Sequence, residues 1–394
     1  MNCLSQRKKL KSKHPAWRDP NDCEPELFAR AIDHEDELLE SKSGSSSTSS
    51  DEDDEYDMYA NDVRSKKLNL ETKNLQYKHL ADINNERSYK GSVQQVQFHP
   101  TSKVALVALS YGQADLFEID GERNRYIQNI KLPRTRSPFC SFKPDGGSIV
   151  ISSEHYKGTF YTYDMISASI KQYSLRVGTE SKEITDFNLF GDYMACRKEG
   201  CQDIYILSSK TFEKNFSVRI NEPVKAIQFT SNKEMIVAGE NARIYVWDLR
   251  KMSLCKHKFQ DDGTVHTTSL SLSESSKLLS IGSDSGIVNT YELDTCMSSK
   301  FPQPLKTYSN LKTQIDILTY NNTGELLLMA SRAELGAFRM VHSHSGSVYK
   351  NFPVANRRYG SLFTADFSPL SGYLALGCSS GRAHLCRIPY YSAY

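Results

Sequence analysis

The chain has 394 residues with a net charge of +2, and 39% of them are apolar. This apolar content is sufficient for a sizeable core. The longest apolar runs, such as Val104 to Leu109, are far shorter than a membrane span, and residues Met1 to Arg7 are too polar for the core of a signal peptide. We therefore expect a soluble intracellular protein with no membrane partner.

The charge is distributed unevenly along the chain. Up to residue 92 there are 15 basic and 19 acidic residues, net −4, and the remainder has 34 and 28, net +6. A mildly basic body can be attracted to a phosphate backbone through its long-range field, but surplus lysine is also typical of a solvated surface. The charge thus leaves both RNA contact and simple solvation open.

Residues 1–65 contain few apolar groups and are predicted to be a disordered tail, because their burial could not offset the entropy of ordering. A basic cluster near the start has two interpretations, a nuclear import signal or simple solvation. Its members are Arg7, Lys8, Lys9, Lys11 and Lys13.

A Ser-rich and then acidic run, Ser41 to Asp57, follows in the same tail. Thr48, Ser49 and Ser50 each have an acidic residue three positions later, which is the pattern favoured by acidophilic kinases. Phosphorylation would add about 1.5 to 2 negative charges per site. An unmodified polar spacer is the alternative interpretation.

The cysteines are nine in number, an odd count, and contain no CxxC pair. No Cys/His spacing suits zinc, so the sequence predicts reduced thiols of a nuclear or cytosolic protein rather than a disulfide framework or a metal site. The cysteine positions are 3, 23, 140, 196, 201, 255, 296, 378 and 386.

From residue 93 onward the chain becomes periodic. Each unit has an apolar alternating strand, a turn, a second apolar strand, a small-residue turn and a third strand. The last apolar residue of each first strand recurs every 42 to 48 positions, at Phe98, Phe142, Phe187, Phe229, Leu272, Tyr320 and Phe367. A period in this range, made of short strands, is typical of propeller blades. We predict an all-β fold, a seven-bladed WD40-type β-propeller over residues 93–394.

Two units show the blade pattern most clearly. Val224 to Arg250 ends its third strand in the pair Trp247-Asp248. Thr267 to Asp294 repeats the pattern, with a tight turn from Gly282 through Asp284 to Gly286. The sequence therefore assigns structural repeat roles to Trp247, Asp248, Gly282, Asp284 and Gly286.

The last unit ends at Ile388 and leaves too few residues for a fourth strand. We expect residues 66–92 to be a linker that supplies the missing outer strand, with Leu75 to Lys78 as the candidate. Such pairing would remove an open sheet edge and join the two ends of the ring.

The sequence shows no evident catalytic or cofactor motif. The turn from Gly282 to Gly286 has Asp284 where a nucleophile elbow needs Ser, and no GxxxxGK[ST] or post-strand GxGxxG is present. His342 and His344 alternate on one strand without an evident third ligand, which favours paired surface histidines over a metal site. We expect no enzyme activity, no cofactor and no small-molecule substrate.

Several segments resemble a known family. They are Gln97 to Pro100, Ile119 to Gly121 with Ile127-Gln128, Tyr163 to Met165, Pro304 to Lys306 with Asn310-Leu311, Asn351 to Val354, Asp366 to Gly377 and Tyr390 to Ser392. Together they resemble the U3 small nucleolar RNA-associated protein 18 family, WD40 components of the small-subunit processome. The resemblance implies a nucleolar subcomplex with other WD40 proteins, the U3 small nucleolar ribonucleoprotein and pre-ribosomal RNA.

The sequence departs from a regular WD40 repeat. One unit keeps a Trp-Asp pair, and no Gly-His dipeptide precedes any blade, so the His/Asp/Ser/Trp hydrogen-bond set of such blades cannot form in full. The expectation from this departure is that the fold rests on packing.

Two functional hypotheses follow. The first is a non-catalytic scaffold subunit of the nucleolar small-subunit processome, acting in pre-ribosomal RNA processing and 18S rRNA maturation. The alternative is a substrate receptor of a cullin-type ubiquitin ligase, because Trp247, Asp248 and Arg250 match a WDxR box. Arg250 at the solvated end of an ordinary third strand explains the same residues.

Overall fold

The computed structural model describes residues 70–394 apart from 88, 90, 132–137, 154–158, 178–179, 182–183, 185, 199, 231–232, 355–358 and 393. The predicted disordered tail at 1–65, and with it the boundary to the segment 66–92, lies outside these residues. Over the described part of the chain, seven four-stranded antiparallel sheets form the blades of a β-propeller. The predicted fold class is confirmed.

The strands of the first half follow one another in chain order. After β1 (Lys78–His79), blade I contains β2 (Val93–Phe98), β3 (Val104–Leu109), β4 (Gln113–Glu118) and β5 (Tyr126–Lys131). Blade II contains β6 (Pro138–Phe142), β7 (Ser148–Ser153), β8 (Thr159–Asp164) and β9 (Ser169–Ser174). A short hairpin of β10 (Arg176–Val177) and β11 (Glu180–Ser181) precedes blade III, which contains β12 (Asp186–Phe190), β13 (Tyr193–Arg197), β14 (Asp203–Ser208) and β15 (Lys214–Arg219).

The second half repeats this order, with one helix inserted. Blade IV contains β16 (Val224–Thr230), β17 (Glu234–Gly239), β18 (Arg243–Asp248) and β19 (His257–Gln260). Blade V contains β20 (Thr267–Ser273), β21 (Leu278–Ser283), β22 (Val288–Glu292) and, after helix α1 (Leu293–Ser298), β23 (Lys306–Tyr308). Blade VI contains β24 (Ile317–Tyr320), β25 (Leu326–Ala330), β26 (Phe338–His342) and β27 (Ser347–Val348), and blade VII contains β28 (Leu362–Phe367), β29 (Tyr373–Cys378) and β30 (Ala383–Arg387). No helix in the described residues is long and apolar enough to cross a membrane.

Burial follows the position of each strand in its blade. The second strands β17, β21, β25 and β29 are buried along their whole length, because each lies inside its sheet and between two neighbouring blades. The fourth strands β5, β9 and β15 are mostly exposed. The core is therefore a ring of apolar layers between adjacent blades, such as the one that joins blades III and IV through Ile206 and Val237.

The predicted first-strand markers fall on the innermost strands, with a correction in blade III. Six of the seven markers end their strands or lie next to the end, as Phe98 does opposite Ala105. In blade III the equivalent position is Leu189, which lies opposite Met194, and Phe187 is two residues earlier. The strand runs further than predicted because the turn between β12 and β13 contains only Gly191 and Asp192.

Strand β1 pairs with β30 and gives blade VII its fourth strand. Of the predicted segment Leu75 to Lys78, only Lys78 lies in this strand. The closing strand therefore begins later in the chain than predicted. The reason is that Asn351 bonds the backbone of Leu75: its side-chain oxygen accepts the Leu75 N–H at 2.9 Å and its amide donates to the Leu75 carbonyl at 2.7 Å.

The contact with β30 continues past β1. The N–H groups of Leu80 and Ile83 donate to the carbonyls of Leu385 and Ala383 at 2.9 and 2.8 Å. Asn84 then extends the pairing, since its side-chain oxygen accepts the Ala383 N–H at 3.1 Å. Ile83 is completely buried. The segment that closes the ring is thus held by both backbone hydrogen bonds and apolar burial.

Candidate functional site

The innermost strands line a central channel with a cavity of about 520 Å³. Amide side chains in it join neighbouring blades. The Gln97 side-chain oxygen accepts the Phe142 N–H at 2.8 Å between blades I and II, and the Asn188 amide donates to the Ile227 carbonyl at 2.9 Å between blades III and IV. The side chains of Gln97 and Asn188 therefore stabilise the contacts between neighbouring blades.

Other blade pairs are joined in the same layer by different groups. The hydroxyl of Ser269 in blade V donates at 2.8 Å to the carbonyl of Ile315, which lies just before the first strand of blade VI. Between blades II and III the rings of Phe139 and Phe187 meet edge to face, with centroids 5.1 Å apart. The channel wall is a continuous set of contacts between blades, which positions the loops at both of its ends.

The charged side chains of the channel have partners within the ring, either an opposite charge or a backbone group. Arg197 donates from Nε to the Asp186 carboxylate at 2.9 Å and from a terminal nitrogen at 2.6 Å. Asp316 accepts the backbone N–H of Arg332 at 2.7 Å, and the Arg332 guanidinium donates to the Phe363 carbonyl at 2.9 Å. These charged groups therefore hold neighbouring strands and blades together.

A buried carboxylate in the loop before blade V organises a hydrogen-bond network. Asp261, which is 2% exposed, accepts from the hydroxyls of Tyr291 and Thr264 at 2.5 and 2.6 Å and from the Asn289 amide at 3.1 Å. Burial raises the pKa of Asp261 above its ordinary value, while these donors oppose the rise. The network ties the loop to the third strand β22.

Blades I and IV also contain a buried carboxylate that accepts a hydrogen bond from a tyrosine hydroxyl. Glu222, 2% exposed, accepts from the Tyr245 hydroxyl at 2.8 Å, and burial followed by this hydrogen bond raises the pKa of Tyr245 to about 12. In blade I the Tyr89 hydroxyl donates to the buried Asp115. Carboxylate–tyrosine hydrogen bonds of this kind in blades I, IV and V therefore add to the packing on which the fold was expected to rest.

Asp366 lies on β28 at the junction of blades VII and I. Its carboxylate accepts the backbone N–H of Phe98 at 2.7 Å, which links the first strands of the two blades. Burial raises the pKa of Asp366 to about 7. This carboxyl group is thus a structural element of the closed ring that titrates near neutral pH.

The predicted turn in blade V depends on its glycines. A Cβ on Gly286 would lie 2.5 Å from the Leu311 carbonyl oxygen, and its φ of +83° favours glycine. A Cβ on Gly282 would lie 2.9 Å from Ile315. Asp284 is exposed between them. Both glycines are required by close packing, while Asp284 has a solvated side chain.

Comparison with known proteins gives one consistent answer, although no family model matches the chain. A protein of Drosophila melanogaster named U3 small nucleolar RNA-associated protein 18 homolog is 32% identical over 335 residues, 84% of this chain and 65% of its own length. The Homo sapiens protein of the same name is 33% identical over 81% of this chain and 58% of its own length. The Saccharomyces cerevisiae protein is 24% identical over 84% of this chain.

The resemblance to the U3 small nucleolar RNA-associated protein 18 family is confirmed. Relatives with this name occur from yeasts to plants and animals, at 24% to 34% identity. The chain spans about three fifths of the length of the first relatives that it matches.

No relative of this family supports the ubiquitin-ligase receptor hypothesis by name, and the WDxR residues have local roles. Trp247 is 4% exposed and stacks on Tyr245 with ring centroids 5.6 Å apart. The Asp248 carboxylate accepts from the backbone N–H of Arg250 at 2.9 Å and from its Nε at 3.0 Å. This hydrogen bonding by Arg250 lowers the pKa of Asp248. Trp247 is a core residue, and Asp248 and Arg250 shape the turn after β18.

The remaining predicted sites fall in two groups. Outside the described residues lie the predicted import cluster of Arg7, Lys8, Lys9, Lys11 and Lys13 and the predicted phosphorylation sites Thr48, Ser49 and Ser50. Inside them, His342 is 9% exposed and its Nδ1 lies 2.7 Å from the Ser345 hydroxyl, so the prediction of a surface histidine pair with His344 is wrong for His342. No group of three metal-ligating side chains occurs among the described residues.

Asp261, Glu222 and Asp366 were not identified from the sequence. The tyrosine partners, and the backbone partner across the blade junction, lie 23 to 268 positions from these carboxylates. For Glu222 and Asp261 the available signal was a tyrosine on the third strand, Tyr245 and Tyr291, because a buried hydroxyl needs a partner. For Asp366 the partner is a backbone N–H, which leaves no signal in the sequence.

Proposed function

We propose that this chain is a non-catalytic scaffold subunit of the nucleolar small-subunit processome, acting in pre-ribosomal RNA processing and 18S rRNA maturation. The observation that carries the proposal is the similarity over more than 80% of the chain to relatives that are all named for association with U3 small nucleolar RNA. This similarity covers the propeller rather than a single motif.

The chemistry of the propeller supports a binding role. Its buried carboxylates, such as Asp261 and Glu222, hold loops, and Asp186 and Arg197 of the channel form an ion pair with each other. A ring of similar blades offers several separate surfaces, and modest contacts on different surfaces multiply through effective concentration. A scaffold of this kind gains affinity without a reactive centre.

The proposed partners are other WD40 proteins of the processome subcomplex, the U3 ribonucleoprotein and pre-ribosomal RNA, contacted directly or through those proteins. The proposed location is the nucleus and nucleolus. The basic cluster from Arg7 to Lys13 would then serve nuclear import, and phosphorylation at Thr48, Ser49 and Ser50 would adjust the charge of the tail. Membranes and small-molecule substrates have no part in this proposal.

The test is a tagged full-length chain expressed in cells, followed by purification and identification of the bound RNA. We expect enrichment of U3 RNA over a spliceosomal RNA, and nucleolar staining. Depletion should reduce mature 18S rRNA relative to the large-subunit rRNA. A cytoplasmic distribution without U3 enrichment and with an unchanged rRNA ratio would refute the proposal.

A further inference from the structure

A second cavity, of about 810 Å³, opens at the outer side of blade VI and shares no lining residue with the central channel. It lies where the fourth strand β27 ends after only two residues, whereas the fourth strands of blades I to III have six each. We propose that this cavity binds an acidic linear peptide of a partner protein that carries aliphatic or aromatic side chains beside its carboxylates.

The cavity has apolar walls and an uncovered apolar mouth. Tyr349 and Phe352 line it and are only 1% and 2% exposed, which makes the walls firm. Leu335 and Val354 line it as well and are 76% and 39% exposed. Exposed apolar groups around a concave site of this volume are typical of ligand and peptide binding.

The charged side chains that line the cavity, among the residues that the structure describes, are both positive. Arg339 is half-buried, and its guanidinium donates to the Phe338 carbonyl at 2.8 Å. Lys350 is exposed at the same cavity. Among the described residues neither cation has a carboxylate within ion-pair distance, and no Asp or Glu lines the cavity, whereas Arg197 and Lys256 elsewhere are ion-paired. A ligand with carboxylates would supply the missing negative charge.

The same observations favour a peptide over RNA. Single-stranded RNA is recognised largely by stacking of bases on exposed aromatic faces. The rings of Phe352 and Tyr359 instead pack against Phe338, with centroids 5.5 and 5.1 Å away, and both are nearly buried. A phosphate could pair with the cations but would leave Leu335 and Val354 uncovered. An acidic peptide with apolar side chains satisfies both features.

The first experiment is a selection of displayed ten-residue random peptides on the immobilised full-length chain. The selection is repeated with counter-selection against Arg339→Glu/Lys350→Glu. We expect enriched sequences that combine Asp or Glu with Leu, Ile, Phe or Tyr and that disappear on counter-selection. Failure to enrich any sequence, or enrichment of sequences without acidic residues, would overturn the proposal.

The second experiment measures the affinity of the enriched peptide by fluorescence polarisation. The double variant should bind about tenfold more weakly or worse. Leu335→Ser should also weaken binding, without any change of charge. The matched control Lys103→Glu/Arg123→Glu makes the same change of net charge at exposed positions on blade I and should bind like the parent chain.

Melting curves of all variants verify that they are folded, and Leu335→Ser keeps the test decisive if the charge variant is unstable. Equal weakening in the control variant would assign the binding to general surface charge and overturn the site. A ten-nucleotide RNA provides the other arm. If RNA binds, loses affinity only in the cavity double variant, and no peptide does so, the site is for RNA and the peptide proposal fails.

Discussion

Closure of the ring by the segment before blade I can be tested with Ile83→Ala. Ile83 is completely buried in the layer between blades VII and I. The substitution removes three methyl or methylene groups, which is about 2.4 kcal/mol of transfer free energy at about 0.8 kcal/mol each. The residual cavity adds to this, so the total loss should be about 2 to 5 kcal/mol. Because the segment joins both ends of the ring, we expect the whole propeller to unfold more easily.

The assay is thermal and urea unfolding of the full-length chain, with Ile166→Ala as the matched control. Ile166 lies in the turn between β8 and β9 and is 93% exposed, so the same chemical change there should be almost neutral. For a domain of more than 300 residues, such a loss should lower the melting temperature of the Ile83 variant by about 3 to 7 °C. Deletion of residues 70–85 should have a larger effect. Equal melting of the two Ala variants would refute closure by this segment.

Three further predictions concern the buried carboxylates. Gly239→Ala should destabilise the chain by about 1 to 3 kcal/mol in urea unfolding, because its Cβ would lie 2.5 Å from the buried Glu222. Tyr291→Phe should cost about 1 to 3 kcal/mol in the same assay, because Asp261 loses a donor. The pKa of Asp366 is raised to about 7, so its ionisation destabilises the fold as pH rises from about 4 to 7. Asp366→Asn should therefore be more stable than the parent chain at pH 8 but not at pH 4, and an equal difference at both would contradict this.

The repeat was readable from the sequence because first and second strands have their own apolar patterns. The position of the marker residue within its first strand is harder to predict. Phe187 and Leu189 lie on the same face of β12, and alternation alone does not tell which of them is opposite the second strand's Met194. An aromatic residue marks most of the other first strands, which favours Phe187 in the sequence, but the short turn at Gly191 and Asp192 lets the strand continue to Phe190.

The closing strand illustrates a second limit. Leu75 to Lys78 alternates in the way a strand does, yet the pairing with β30 begins at Lys78. What moves it is the side chain of Asn351, about 270 positions away, which takes both backbone groups of Leu75. A side chain that takes the place of a partner strand leaves no signal in the local alternation of apolar and polar residues.

The paired carboxylates connect the fold to the proposed function. In a regular WD40 blade the repeat itself supplies the internal hydrogen bonds, whereas here Asp115, Glu222 and Asp261 supply them blade by blade. A buried charge without a partner is costly, so each such carboxylate is committed to its loop. What remains for recognition are cations without a carboxylate partner among the described residues, such as Arg339 and Lys350, beside uncovered apolar groups. A cavity lined by bases and apolar groups is suited to partners that are acidic, and this is the chemistry that the cavity of blade VI would select.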